Sequence, residues 1–227
     1  MPFRHFYRSI VPEPVRAELW KARRRADGVV WPPSAALRTV RHEWGWMTSD
    51  RKAIHTSAAE KFGVPPSWVF MLGVNNSGTT LFLNIVEMHP DIGSLGGEGQ
   101  YHTRGLDTPE SLGIPRIWTQ ELDVFRWTED EHPARALRAY YDWMAAMPAD
   151  APILFEKSPP NTIRSRWLQS HFHPSQFIAT FRHPYAVCEG MQRRGGYPIA
   201  DCARHWDTAN RILLDDLSSL NEVFLFT

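Results

Sequence analysis

Cysteine is scarce in this chain: Cys188 and Cys202 are the only two among 227 residues. That is too few for a disulfide framework, and a reducing compartment is the simpler reading. Long apolar runs are missing as well, since none approaches the roughly 20 residues of a membrane-spanning helix. The opening "MPFRHFYRSIVPEP" lacks the continuous apolar core of a signal peptide. The expectation is a cytoplasmic protein with no transmembrane segment. Net charge is also absent, with 25 basic residues against 25 acidic ones. The total therefore argues neither for nor against nucleic acid, and no nucleic-acid partner is expected. Metal-ligand spacing is lacking too: His171 and His173 in "HFH" have no partner ligands at suitable intervals, so no metal is expected.

What is present is an ordinary globular composition, 43% hydrophobic and 22% charged. The charge is unevenly placed. Residues 1–62 hold twelve Lys and Arg against six acids, leaving thirteen against nineteen for the rest. Residues 1–64 read as a helical, basic N-terminal region, with helices at 11–27 and 35–62 split by "WPP". Its basic face reads first as solvated helix and second as a surface for anions or lipid.

After Pro65 and Pro66 the pattern alternates. Strands are expected at 68–73, 152–156, 176–181 and from 223, with helices at 78–88, near 118–147, and at 161–171, 184–193 and 199–219. A Gly-rich connection, 91–116, interrupts them. Short apolar runs alternating with helices predict an α/β three-layer sandwich whose central parallel sheet is covered on both faces. The last run, "NEVFLFT", reads as a strand broken off in mid-course, which suggests a longer natural chain. Ligands of such sheets bind outside the carboxyl ends of the strands. Three of those ends carry polar residues: Asn75 to Thr80, Glu156 to Ser158, and Arg182 with His183.

The first of these, "GVNNSGTT", has the Gly-x-x-x-x-Gly spacing of a P-loop-like phosphate-binding loop, from Gly73 to Gly78. Successive N–H groups at the start of the following helix would face an anion, and the hydroxyls of Ser77, Thr79 and Thr80 add donors. The same residues would also serve an ordinary strand-to-helix turn with Ser77 as N-cap. Thr79 stands where a nucleotide triphosphatase carries lysine, which disfavours transfer of a γ-phosphate.

The segments "GVNNSGTTLFLNIVEMHPDI", "FEKSPPN" and "FRHPYAVCEG" together resemble, in order and spacing, those of sulfotransferases that use 3′-phosphoadenosine 5′-phosphosulfate. The resemblance covers residues 69–227, and it is to the branch with "GGE" and Lys-x-Pro segments, which includes protein-tyrosine and glycan sulfotransferases. It implies that Asn75, Asn76, Ser77, Gly78, Thr79 and Thr80 bind the 5′-phosphosulfate. Arg182 and Arg194 would bind the 3′-phosphate, a task suited to guanidinium groups. Glu98 in "SLGGEGQYH" would be the general base, with His102 in reserve. Lys157 would neutralise charge on the leaving oxygen. The product would be adenosine 3′,5′-bisphosphate, with no metal required.

Two positions depart from the family's pattern. Asn76 stands where Lys or Arg is usual, and Gly190 where a Ser contacting the 3′-phosphate is usual, with Arg193 and Arg194 available to compensate. The acceptor is expected to be a small molecule or glycan with a hydroxyl, carbohydrate preferred. Trp118, Trp127 and Trp143 are candidates for stacking on it, although core packing is the favoured use. Two rivals stand beside this reading. One is a nucleotide kinase with an altered P-loop; the other is a catalytically degenerate member that binds nucleotide or sulfated glycan.

Overall fold

A computed structural model of the chain describes residues 67–148 and 151–226; the helical region expected over 1–64 lies outside them. Five strands are found among the described residues: β1 (Ser67–Leu72), β2 (Ile92–Ser94), β3 (Ile153–Lys157), β4 (Ser175–Thr180) and β5 (Val223–Phe226). They form one parallel sheet in the order β2-β3-β1-β4-β5. The chain moves from β1 to one side, through β2 and β3, and then returns to the other. The sheet's switch point therefore lies at β1, between β3 and β4.

Seven α-helices connect these strands: α1 (Thr79–Val86), α2 (Pro109–Leu112), α3 (Leu122–Phe125), α4 (Pro133–Ala146), α5 (Ser165–His171), α6 (Pro184–Gly195) and α7 (Ile199–Leu217). Local chemistry explains several boundaries. Thr108 and Ser111 form a capping box at α2. Proline opens both α4 and α6 at a position where its missing N–H costs nothing. Strand β2, three residues inside the Gly-rich connection, has no apolar run to announce it. Two expected helices are each divided: 118–147 into a 3₁₀ turn (Trp118–Glu121), α3 and α4, and 161–171 into a 3₁₀ turn (Pro159–Ile163) and α5. The second break falls at Arg164, whose backbone (φ −132°, ψ 26°) lies outside the helical region.

Side chains alternate across the sheet as the pleat requires. Trp68, Phe70 and Leu72 of β1 pack with Leu154, Phe177 and Ala179 against Trp143, Trp167, Phe172 and Leu213 of the α4, α5 and α7 layer. Met71, Val69, Phe155 and Ile178 face the other way, onto Leu83, Phe82 and Val86 of α1. The result is the α/β three-layer arrangement. A third apolar cluster joins Val74, just after β1, to α6 and α7 through Val187, Met191, Ala209 and Ile212.

The first of these cores is aromatic to an unusual degree. Trp68, fully buried, lies 5.2 Å from the Phe172 ring, 5.6 Å from Tyr140 and 5.8 Å from Trp143. Trp68→Ala should lower unfolding free energy by about 3–5 kcal/mol in urea titrations. Leu81→Ala, on the solvent face of α1, should stay within about 0.5 kcal/mol of the parent.

Candidate active site

The loop after β1 turns sharply. Asn76 and Gly78 both adopt left-handed backbone, with φ of 65° and 98°, a conformation that glycine takes without steric cost. Gly78, not Ser77, is the N-cap of α1, and no side chain caps that helix. Ser77 instead donates its hydroxyl to the Val74 carbonyl at 2.6 Å. The loop is anchored at its root, where the Gly73 N–H donates to Thr162 Oγ1 at 2.8 Å. The first-turn amides of an eight-residue helix are thus left to face an anion, with the helix dipole behind them. Ser77 and Thr79 are buried beside the cradle and Thr80 is exposed.

Lys157 ends β3 in register with Met71, close to the end of β1. Its ammonium, on a side chain only 4% exposed, lies 3.4 Å from Thr80 Oγ1 and 3.3 Å from Glu98 Oε1. A single cation therefore joins the cradle to the acidic loop. Glu98 is further held by Gln100, whose Nε2 donates to Glu98 Oε2 at 2.6 Å. His102, by contrast, lies exposed at the end of the 3₁₀ turn (Gly99–Tyr101).

Arg182 and Arg194 meet at Asn76. Arg182 Nη1 donates to the Asn76 carbonyl at 2.8 Å, and Arg194 Nη1 to its side-chain oxygen at 2.9 Å. Gly190 packs against the same residue, for a Cβ there would lie 3.3 Å from Asn76 Cγ. Arg193 pairs with Glu189 at 2.7 Å on an exposed face, away from this group. Asn75 accepts from Trp118 Nε1 at 2.9 Å.

Trp118, Trp127 and Trp143 are all buried, so none offers a ring to an acceptor. They serve the framework instead: Trp143 Nε1 donates to the Gly99 carbonyl at 2.9 Å, and the ring face of Trp127 lies under the Arg135 and Arg164 guanidinium groups. Two buried groups at the site were given no role from the sequence, although Glu156 stood in one of the polar strand ends. His205 stacks edge-on against Trp118 at 4.4 Å and shares a 2.8 Å hydrogen bond with Thr119. Glu156 lies under the acidic loop and accepts from the Gly99 N–H at 2.9 Å. Burial pushes its carboxyl upward, against the pull of the Ser158 hydroxyl and the Arg164 charge. Among the described residues, no group of three or more His, Cys, Asp or Glu side chains could hold a metal ion, and no helix is long and apolar enough to cross a membrane.

A sequence model of the Sulfotransferase family matches residues 66–224. No curated protein sequence matches the chain. Among solved structures, the sulfotransferase domain from the Synechococcus PCC 7002 olefin synthase is similar, with 22% identity and a TM-score of 0.47. That match covers 71% of this chain and 66% of the domain.

His205 makes one part of this site testable by pH. Burial pushes its imidazole down to about 3, from roughly 6.5 in an unfolded chain. Above pH ~6.5 neither state holds the proton; below it only the unfolded state takes it up, so stability falls between about pH 6.5 and 3. Urea unfolding of His205→Gln should show a shallower decline over that window than the parent. Parallel curves would show that His205 is not the group responsible.

Proposed function

The chain belongs to the sulfotransferase family, and from that premise we propose that it moves a sulfonyl group from 3′-phosphoadenosine 5′-phosphosulfate to an acceptor hydroxyl, carbohydrate preferred. The observation that carries the proposal is the position of Lys157, whose ammonium lies within 3.4 Å of both the cradle hydroxyl Thr80 and the Glu98 carboxylate. Donor binding, charge neutralisation and proton removal would then occur around one cation.

The residues present fit a donor with phosphate at both ends of a nucleoside. The uncapped first turn of α1 takes the 5′ end together with Ser77, Gly78, Thr79 and Thr80. Arg182 and Arg194, brought together at Asn76, take the 3′-phosphate. Each uses one nitrogen on Asn76, leaving the rest of its guanidinium fork for the phosphate. When bound, the donor supplies the sulfonyl group on a good leaving phosphate.

The chain's own residues do the rest by in-line displacement. Glu98 removes the proton of the acceptor hydroxyl as its oxygen bonds to sulfur. The bond from sulfur to the bridging oxygen breaks, the electron pair stays on the 5′-phosphate, and Lys157 stabilises that charge. Asn76 offers the sulfonyl oxygens amide hydrogens in place of the family's usual cation. No metal is assigned a role, and no nucleic acid is assigned as a partner. The two free, buried thiols, Cys188 and Cys202, support a reducing cytoplasmic setting.

Thermal unfolding with adenosine 3′,5′-bisphosphate, with ATP and magnesium, and with buffer alone tests the donor assignment. The bisphosphate should raise the transition most, because a ligand of the folded state stabilises by mass action. Preference for ATP with magnesium would favour a kinase. Glu98→Gln should bind bisphosphate as the parent does and turn over at least about 10²-fold more slowly, the scale of a lost general base. Tight bisphosphate binding with no donor consumption by the parent would mark the chain as a binding protein.

A further inference from the structure

Glu98 stands in a run of glycines, with Gly96 and Gly97 before it and Gly99 after it. Such a segment has more backbone freedom than a precisely held base can tolerate. Three hydrogen bonds restrict it. The Gly99 N–H donates to Glu156 Oε1 at 2.9 Å, the Gln100 N–H to Ser158 Oγ at 3.0 Å, and Trp143 Nε1 to the Gly99 carbonyl at 2.9 Å. The first two acceptors come from the same short stretch that supplies Lys157.

We infer that Glu156 is a positioning residue for the general base: its buried carboxylate grips the backbone just after Glu98 and sets where that side chain stands relative to Lys157. The inference rests on the assignment of Glu98 as base. Neighbours on a strand point to opposite sides, so Glu156 and Lys157 divide the work. Lys157 faces the cradle and Glu98, while Glu156 turns inward. Ser158 completes the grip, donating to Glu156 Oε1 at 2.5 Å while accepting from Gln100.

The inward end is fixed as well. Asn161 donates its amide to Glu156 Oε2. The side-chain oxygen of Asn161 accepts from Arg164 Nε at 2.9 Å. This relay brings the influence of a fully buried guanidinium to a fully buried carboxylate. Space is equally restrictive, because a Cβ on Gly99 would lie 2.5 Å from Glu156 Oε1. The grip requires both the carboxylate at 156 and the bare backbone at 99.

The test compares Glu156→Gln, Ser158→Ala, Glu98→Gln and the Glu98→Gln/Glu156→Gln double variant with the parent. Calorimetry with adenosine 3′,5′-bisphosphate reads the cradle. Release of bisphosphate from 3′-phosphoadenosine 5′-phosphosulfate, with water, p-nitrophenol or N-acetylglucosamine as acceptor, reads turnover. Glu156→Gln keeps the shape but puts an NH₂ against a ring of donors. It should lower kcat by about 10- to 100-fold, the scale of a misplaced reacting group, with donor KM and bisphosphate affinity within about 2-fold. Amide exchange over residues 97–101 should quicken at least about 10-fold while β1 keeps its protection. The double variant should be no slower than Glu98→Gln alone, as expected when one residue acts through the other.

Should Glu156→Gln fail to fold, Ser158→Ala loosens the same segment with the carboxylate intact, and a smaller kcat loss in the same pattern is expected. Unchanged exchange over 97–101 in a variant, additive losses in the double variant, or a fall in bisphosphate affinity matching the fall in kcat would overturn the inference. A parent protein that binds no bisphosphate would instead overturn the functional reading. A fully active Glu156→Gln beside an active parent overturns the inference alone.

Discussion

The parallel pairing of β1 with both β3 and β4 is the constraint on which the site depends. Met71 lies beside Lys157 and Leu72 beside Ala179, so three loops distant in sequence leave the sheet at one edge. Shifting β3 by a single residue would exchange Lys157 with Glu156, turning the cation into the interior and the carboxylate toward the cradle. Register is held against such a slip by β3's own apolar residues, since Leu154 packs into the aromatic core and Phe155 onto the α1 face, and a slip would exchange the two. The hydrophobic packing of the two faces thus fixes the charges at the end of the sheet.

The two departures at positions 76 and 190 form a single contact. Asn76 in left-handed backbone places its side chain against Gly190, and its two oxygens receive Arg182 and Arg194. A hydroxymethyl group at 190 would crowd that amide. The residue that brings no charge to the cradle is thus also the residue that orders the arginines beside it. On the proposed reading this coupling has a cost and a benefit: the loop gives up a cation, and the two arginines gain a fixed geometry.

Much of this was legible from the sequence, for identifiable reasons. β1, β3, β4 and α1 each carry a short apolar stretch bounded by glycine or proline, and Lys157 and Arg182 lie at or just past strand ends, whereas Glu98 sits in the glycine-rich loop after β2. β2 was not legible, because three residues within a glycine-rich stretch pair only with β3 and carry no period of their own. The tryptophans were open to two uses, and burial decides between them. Glu156 was hidden for a different reason. A glutamate in "FEKS" looks like any charged residue at a strand end until the Gly99 amide, 57 positions away, is seen to meet it. Long-range hydrogen bonds to backbone leave no local pattern, whereas strands and phosphate loops do.

The closed space at Gly99 also bears on how such a site can diversify. A position that admits no side chain is lost to sequence drift, and Glu98 beside it, the proposed base, is restricted in pose. Changes of acceptor preference would therefore have to enter from the solvent side, at exposed neighbours such as Tyr101, His102 and Arg116. The proposed chemistry would then stay on the closed inner wall, and the outer rim would be the part left free to vary.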